Sequence, residues 1–414
     1  MRFENPFKAH RPRHRGKERE ACSQCREKDF GDVSQELLKW IEEQSNHPGE
    51  LISLQPDTHA DLSKTVKCPT IAGHIEKGGE PTERIHDLKE ISVVSINMNA
   101  LGGSRMDRDY RSDNTLSENE QQFLAFLQKT DSSTSFVCLQ DFPLYRLRVL
   151  GPKLQKMGFS YYANVVGING QEPGHLAALV TLVNTSHFKG YVIPLPELSM
   201  TKHWQNMRKS SDGRKITYEQ GTPEDEAVDW DVNYGKSHKN EALRHAFQTF
   251  NTKLTIQGTD GEKVIAIGNL YMSPPSLQIE RSRNVKCSLE HLSTLSGADG
   301  VAILTGDFNV YGVDTTAKTP LHISAHPVLT GASAVLRRDL KEVTHIEKIA
   351  GRLGYAKSDL GRQPTITAAG GVVGMQLDHT MANVPTDALQ TTVECVPFTD
   401  HKASRTIIRI TSRE

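Results

Sequence analysis

The sequence has few of the features that would assign it to several common protein classes. Its six cysteines are scattered along 414 residues apart from Cys22 and Cys25, so they do not form a disulfide framework and fit a reducing compartment. No apolar run reaches membrane-spanning length. The basic start of the chain lacks the apolar core of a Sec-type signal peptide. We therefore expect an intracellular protein, of the cytoplasm or the nucleus.

An excess of charge of one sign is missing as well. The chain has 49 Lys and Arg against 50 Asp and Glu, which leaves a formal charge of -1. No overall electrostatic attraction draws such a chain to nucleic acid or to an anionic membrane, so any partner of this kind must bind a local basic patch. The length allows a large buried core and does not exclude an enzyme.

The composition changes along the chain and predicts three parts. Residues 1–30 are predicted to form a basic flexible tail, and residues 31–85 a small N-terminal extension with one amphipathic helix in SQELLKWIEEQ. The CSQC stretch at 22–25 has no second close pair of ligands, so a structural zinc site is not favoured there. Residues 86–414 carry the main domain, with a polar insertion or long loop near 196–240.

The order of elements in the main domain predicts an α/β (α+β) fold. Strands rich in β-branched residues, such as 91–97 and VAILTGDF, alternate with helical stretches such as 117–129 and 277–295. Hairpin-like strand pairs also occur in the middle and at the end of the domain, which a doubly wound parallel sheet does not contain. Two mixed β-sheets packed face to face with helices outside accommodate this order.

Several strands end in acidic or amide side chains. In GDFN, Asp307 and Asn309 are two residues apart, so in a strand their side chains point to the same side and can converge on one ligand. Taken alone, GDFN is equally typical of a turn. The same design recurs at Asn97 and Asn99, at Gln140 and Asp141, at Asn269 and Tyr271, at Asp378 and His379, and at Asp400 and His401. The number and order of these strand ends favour a shared site.

The ordered motifs S-x-N-x-N, L-Q-acid, a strand ending near Pro, G-D-F-N, L-D-H and [ST]-D-H resemble the endonuclease/exonuclease/phosphatase superfamily over about residues 88–412. This superfamily includes deoxyribonucleases, AP endonucleases, inositol polyphosphate 5-phosphatases and neutral sphingomyelinases. The resemblance implies a four-layered sandwich and the hydrolysis of phosphate esters. It also implies a divalent metal cofactor, Mg²⁺ or alternatively Mn²⁺.

The resemblance implies catalytic roles for five residues. Asp307 and Asn309 match the pair that orients or deprotonates the attacking water and contacts the phosphate. His401 matches the histidine that contacts the phosphate, and Asp378 matches the carboxylate that pairs with it. An adjacent carboxylate favours the cationic imidazole, which suits an anionic phosphate. Tyr271 is the candidate for assisting the leaving group.

Five further residues are implied in metal or substrate binding. Asn97 and Asp141 match metal-binding positions, and oxygen ligands of this kind suit Mg²⁺. Asp400 is expected in the same neighbourhood, and Asn99 and Asn269 are expected to contact the substrate. Asp141 departs from the superfamily, which has Glu at this position.

Three functions stay open at the level of sequence. The resemblance places Tyr271 where AP and retrotransposon endonucleases have Tyr and where phosphatases have His, which favours a nuclease whose partner is DNA or RNA. We expect a monomer. The alternative is a phosphatase for phosphoinositides or other small or lipid phosphates. A third function is that of a catalytically weakened module that binds phosphate or a partner, and Asp141 in place of Glu is its only support.

Overall fold

The computed structural model describes fourteen segments between residues 65 and 410. They are 65–66, 70–75, 88–98, 115–130, 133–164, 177–203, 207–209, 216–218, 247–258, 261–272, 278–312, 343–360, 363–368 and 373–410. Two large β-sheets contain most of the strands in these segments. No helix in the described segments is both long and apolar enough to span a membrane.

The first sheet has seven strands. They are β2 (Thr70–Gly73), β3 (Glu90–Asn97), β4 (Phe136–Pro143), β5 (Phe159–Asn164), β6 (Ala177–Asn184), β16 (Leu389–Glu394) and β17 (Ala403–Arg409). Their spatial order is β16-β17-β3-β4-β6-β5-β2. The sheet is mixed, because β3 and β4 run parallel and their other neighbours run antiparallel.

The second sheet has eight strands. They are β1 (Thr65–Val66), β7 (Glu197–His203), β10 (Phe247–Gly258), β11 (Gly261–Tyr271), β12 (Val301–Gly312), β13 (Ala356–Lys357), β14 (Ile366–Ala368) and β15 (Val373–Ala382). Their order is β1-β7-β10-β11-β12-β15-β13, and β14 pairs with β15. Here β11 and β12 are the parallel pair. A separate hairpin joins β8 (Met207–Lys209) and β9 (Ile216–Tyr218).

Helices cover the outer faces of both sheets. They are α1 (Glu118–Thr130), α2 (Leu147–Lys156), α3 (Gln278–Ser296) and α4 (residues 343–352). A capping box starts α1, because the Ser117 backbone N–H donates to Glu120 and the Glu120 backbone N–H donates back to the Ser117 hydroxyl. Three-residue 3₁₀ turns precede α2 and β16.

The alternation of side chains along the strands separates three cores. On β3, Ile91 and Val93 face the other sheet, whereas Val94 and Ile96 pack under α1 and α2. Strand β12 does the same, with Ile303 facing inward. Its outward residues pack under α3 and α4. The layers are therefore helix, sheet, sheet and helix, which confirms the predicted four-layered sandwich of two mixed sheets.

Three strands lie near the predicted boundaries of the parts. The segment near 196–240 begins with β7, a strand of the second sheet, because its residues pair with β10 over seven positions from Glu197 to His203. Strands β1 and β2, which belong to the predicted extension of residues 31–85, pair with β7 and β5 within the two sheets. Short strands without clear alternation gave no signal for this pairing. The predicted tail and its cysteines lie outside the described residues.

Candidate active site

The site lies between the two sheets, where inward-facing residues change from apolar to polar. On β12 the inward positions run Val301, Ile303, Thr305 and Asp307, and the last two are buried polar residues. The parallel neighbour β11 places Tyr271 beside Asp307 in register. The same alternation that builds the inter-sheet core therefore delivers polar groups to one end of it.

Asp307 is the centre of the hydrogen bonds at this end. Its Oδ2 accepts from Asn97 Nδ2 of the opposite sheet at 2.8 Å, and its Oδ1 accepts from the backbone N–H of Asn309 at 2.8 Å. The Asn309 amide also lies 3.3 Å from Oδ2 and donates to the Met272 carbonyl at 2.5 Å. The structure thus brings Asp307, Asn97 and Asn309 together.

Asp378 and His401 complete the cluster. Asp378 lies on β15 directly opposite Asp307 in the antiparallel pairing with β12. His401 Nδ1 lies 3.1 Å from Asp378 Oδ2, and both side chains are buried. One ligand atom from each of Asp307, Asp378 and His401 lies within 4.8 Å of the others. We call these three residues the acidic cluster.

Burial and neighbouring charges shift the pKa values of Asp307 and His401, two members of the acidic cluster. Burial raises the pKa of Asp307 to about 7, and the charge of Asp378 adds to this rise while His401 opposes it. For His401, burial alone would lower the pKa, but the carboxylates of Asp378, Asp307 and Asp400 raise it to about 9. His401 is therefore cationic at neutral pH, and Asp307 can gain or lose a proton there.

The backbone is unusual at two strand ends of the site. Among the described residues, Asp141 and Asn309 are the non-glycine residues with positive φ, and each has φ 47°. Asp141 lies where the pairing of β4 with β6 shifts register, and Asn309 lies where the pairing of β12 with β15 shifts register. Asp and Asn tolerate this left-handed region better than most residues. Bulges of this kind re-aim side chains, and they are common beside active sites.

Gly306 is fixed by the close approach of β11. A Cβ at this position would lie 1.9 Å from the Leu270 carbonyl oxygen, and the residue has φ 146°. Only glycine fits such contact and such backbone angles. The glycine of GDFN therefore allows β12 to present Asp307 next to β11.

Asn269 joins the two sheets from within. Its amide donates to the carbonyls of Leu139 at 3.0 Å and Val180 at 3.1 Å, and its Oδ1 accepts from Gln140 Nε2 at 2.8 Å. The side chain is fully buried. This geometry gives Asn269 a structural role between the sheets, and its predicted contact with substrate stays a prediction.

The remaining predicted residues lie at different depths. Tyr271 is half-buried against the inter-sheet core, and Asp141 is buried at the end of β4. Asp400 is exposed and acts on His401 through its charge. Asn99 lies outside the described residues. Their predicted roles in metal binding, leaving-group assistance and substrate binding stay predictions.

Two threonines near the acidic cluster were not predicted. Thr365 is fully buried and accepts the backbone N–H groups of Leu377 and Asp378. Thr399 donates its hydroxyl to the Asn97 carbonyl at 2.8 Å. Thr399 is the first residue of the [ST]-D-H motif, so a sequence signal for it exists, whereas Thr365 stands in none of the motifs.

The donor atoms of the acidic cluster suit a divalent cation. Two buried carboxylates so close together repel each other, which contributes to the raised pKa of Asp307, and a cation would relieve this repulsion. Asp378 Oδ1 is buried with no hydrogen-bond partner among the described residues. Hard cations prefer such carboxylate oxygens. The predicted set of Asn97, Asp141 and Asp400 differs from this cluster, although Asn97 adjoins it.

Comparison with known proteins finds matches among solved structures but none among family models or curated sequences. No family model and no curated protein sequence matches the chain. Solved structures do match it, among them an endonuclease/exonuclease/phosphatase from Bacteroides vulgatus. That protein is 11% identical at a TM-score of 0.44, and the match covers 78% of this chain and 99% of that one.

Two further matches differ in what their names describe. TDP2 from D. rerio, solved with a single-strand DNA product, is 11% identical at a TM-score of 0.40, and the match covers 77% of this chain and 98% of that one. A mannosyl-6-phosphatase from Bacteroides thetaiotaomicron is 14% identical at a TM-score of 0.40, with 77% and 99% covered. The matched proteins thus include one bound to DNA and one sugar phosphatase.

Proposed function

We propose that the protein is a divalent-metal-dependent phosphoesterase, and specifically a nuclease that hydrolyses phosphodiester bonds of DNA or RNA. The observation that carries this proposal is the convergence of Asp307, Asn97, Asn309, Asp378 and His401 at one end of the inter-sheet space. Four separate strand ends or loops contribute these five groups. Turn residues with unrelated local roles would have no reason to meet in one buried cluster.

Asp307 is the proposed general base. A base works best when its pKa lies near the working pH, and the pKa of Asp307 is raised to about 7. Asn97 and the Asn309 backbone fix the orientation of its carboxylate, so its oxygens are held ready to accept a proton from the attacking water. A positioned base of this kind contributes about 10²–10⁴-fold to the rate.

His401 is the proposed phosphate contact. Its pKa of about 9 keeps the ring cationic at neutral pH, so it can stabilise the negative charge that develops on the phosphate oxygens. Asp378 accepts from Nδ1 and sets the orientation of the ring. The Nε2 side of the ring is then available to donate toward a substrate.

The carboxylate of Asp378, whose Oδ1 is buried with no hydrogen-bond partner among the described residues, is the proposed holder of a divalent cation, for which Mg²⁺ is our first candidate. When bound, such a cation supplies charge neutralisation for a phosphate oxygen. Asn97 and Asp141, implied by the motifs, are the alternative holders. Binding titrations followed by calorimetry separate the two sets: Asp378→Asn should abolish Mg²⁺ binding, whereas Asp141→Asn should leave it within a few-fold of the wild type.

Tyr271 supports a nuclease as the finer assignment. It lies beside Asp307 in the register of β11 and β12 and is half-buried at the rim of the inter-sheet core. A phenol at this position can donate a hydrogen bond to a departing alkoxide. The second candidate, a phosphatase for phosphoinositides or other small phosphates, shares every other group of the site.

The test is metal-dependent hydrolysis on four substrates: supercoiled plasmid, an abasic duplex, single-stranded RNA and a phosphoinositide panel. We expect cleavage of nucleic acid with Mg²⁺, none with EDTA, and a loss of about 10²–10⁴-fold with Asp307→Asn. Asp387→Asn changes an exposed aspartate of the turn before β16 and serves as the matched control.

The outcomes divide the candidate functions. Activity on the phosphoinositide panel alone would replace the nuclease by the phosphatase, with the same site. Silence on all four substrates, together with retained Mg²⁺ binding, would favour the catalytically weakened binding module. Full activity of Asp307→Asn would contradict the proposed role of the acidic cluster.

A further inference from the structure

The Asp378–His401 pair is supported from one side by Thr365. This threonine is fully buried just before β14, and its hydroxyl oxygen accepts the backbone N–H of Leu377 at 2.9 Å and that of Asp378 at 3.2 Å. An irregular segment is thereby attached to β15 at the residue that carries the carboxylate. The hydroxyl fixes the backbone from which the Asp378 side chain projects.

The main chain of Thr365 holds the other member of the pair. Its carbonyl accepts the Lys402 backbone N–H at 2.6 Å, and the next residue, Ile366, forms an isolated antiparallel bridge with His401. One residue therefore contacts the backbone on both sides of the 3.1 Å bond between His401 Nδ1 and Asp378 Oδ2. A shift of Thr365 would move the two partners relative to each other.

Thr399 fixes the same histidine from the first sheet. Its hydroxyl donates to the Asn97 carbonyl at 2.8 Å, and the same oxygen lies 3.3 Å from the His401 backbone nitrogen, which donates to it. Asn97 in turn donates its side-chain amide to Asp307. Thr399 thus links the loop that carries His401 to the strand that orients the proposed base.

We propose that the hydroxyls of Thr365 and Thr399 are positioning groups, which hold the Asp378–His401 pair in line with Asp307 across the gap between the sheets. The inference rests on the proposed function and extends it to two residues without a role in the reaction so far. Neither hydroxyl needs to touch the substrate. Each acts through the backbone of the residues that do.

Threonine-to-valine variants remove each hydroxyl while keeping the shape of the side chain. We expect kcat to fall about 10–100-fold in Thr365→Val and in Thr399→Val, with little change in KM, since the loss of groups that orient functional residues has effects of this size. Thr365→Ser and Thr399→Ser keep the hydroxyl and should restore kcat to within about threefold of the wild type.

Thr406→Val is the matched control. Thr406 is a fully buried threonine of β17 whose hydroxyl pairs with the hydroxyl of Thr391 at 2.9 Å, away from the acidic cluster. It should lose stability without losing kcat. If it lowers kcat as much as Thr365→Val does, or if the serine variants fail to restore the rate, the threonines are structural and the proposal is wrong.

A second readout does not depend on activity. The ring N–H resonance of His401, recorded on metal-free protein with labelled histidine and assigned by its loss in His401→Gln, reports the bond to Asp378. We expect it to shift or broaden in both valine variants and to return in both serine variants. An unchanged resonance in folded Thr365→Val would overturn the proposal. This measurement stands even if the wild type hydrolyses none of the substrates, in which case only the proposed function fails.

Discussion

Replacing Asp307 by Asn should change how the stability of the metal-free protein depends on pH. Burial, with help from Asp378, raises the pKa of Asp307 from 3.8 to about 7. The folded protein therefore binds this proton more tightly than the unfolded chain. The resulting stability is present at low pH and is lost as the pH rises from about 4 to about 7, and a shift of this size corresponds to about 4 kcal/mol.

Asp307→Asn removes this pH-dependent loss of stability but adds a cost in stability that does not depend on pH. A carboxamide at position 307 does not ionise, so its stability stays flat over the same range. Its NH₂ group must, however, face the donors of Asn97 and Asn309 that now bond to the carboxylate, at a cost of about 1–3 kcal/mol. We therefore expect Asp307→Asn to be less stable than the wild type at pH 5 and equal or more stable at pH 8.

Urea unfolding in EDTA at pH 5, 6, 7 and 8 measures the effect. His401, whose pKa is raised from 6.5 to about 9 by Asp378 and in part by Asp307, adds a further loss of stability above pH 6.5, and this loss is smaller in Asp307→Asn. The comparison therefore rests on pH 5 to 7, with the exposed Asp387→Asn as control. If wild type and Asp307→Asn lose stability with the same slope across this range, the carboxylate is not buried beside a like charge and the reasoning fails.

Three further predictions concern parts that support the site. Gly306→Ala should unfold the protein or destabilise it by at least about 3 kcal/mol in urea titrations, because the new Cβ would lie 1.9 Å from the Leu270 carbonyl. Glu120→Gln should cost about 3–5 kcal/mol, since it leaves the buried Arg146 guanidinium without its charge partner 2.5 Å away. Asp141→Glu should cost about 1 kcal/mol by thermal unfolding, because its φ of 47° suits the shorter side chain.

The layer order of the fold was predictable because strand alternation is local. The middle of β3 and the first four residues of β12 carry apolar residues on both faces, which is the pattern of a strand covered on two sides. The pairing of β1 and β2 with the sheets was missed, because two to four residues carry too little periodicity. The pairing of β7 was missed for another reason, since its sequence ELSMTKH is polar and borders a charged stretch.

The site was predictable where a strand end carried the chemistry. Asp307, Asn309, Asp378 and His401 were named from motifs, and their distances bring them into one cluster with Asn97. Supporting residues such as Thr365 were not predictable, because a threonine that accepts two backbone N–H groups looks like any other in the sequence. Its role depends on three segments that meet only in the folded chain.

The backbone conformation at position 141 gives a physical reason for Asp where the superfamily has Glu. At φ 47° a residue needs a short polar side chain, and Asn309 occupies the matching backbone conformation at the end of β12. Both strand ends therefore bend in the same way, one on each sheet, with Asn97 and Asp307 bonded between them. Asp in place of Glu fits this bend, so the substitution by itself is weak support for a weakened module. Measured Mg²⁺ affinity, compared between wild type and Asp141→Glu, decides the question: a gain of more than about tenfold in the variant would restore that hypothesis.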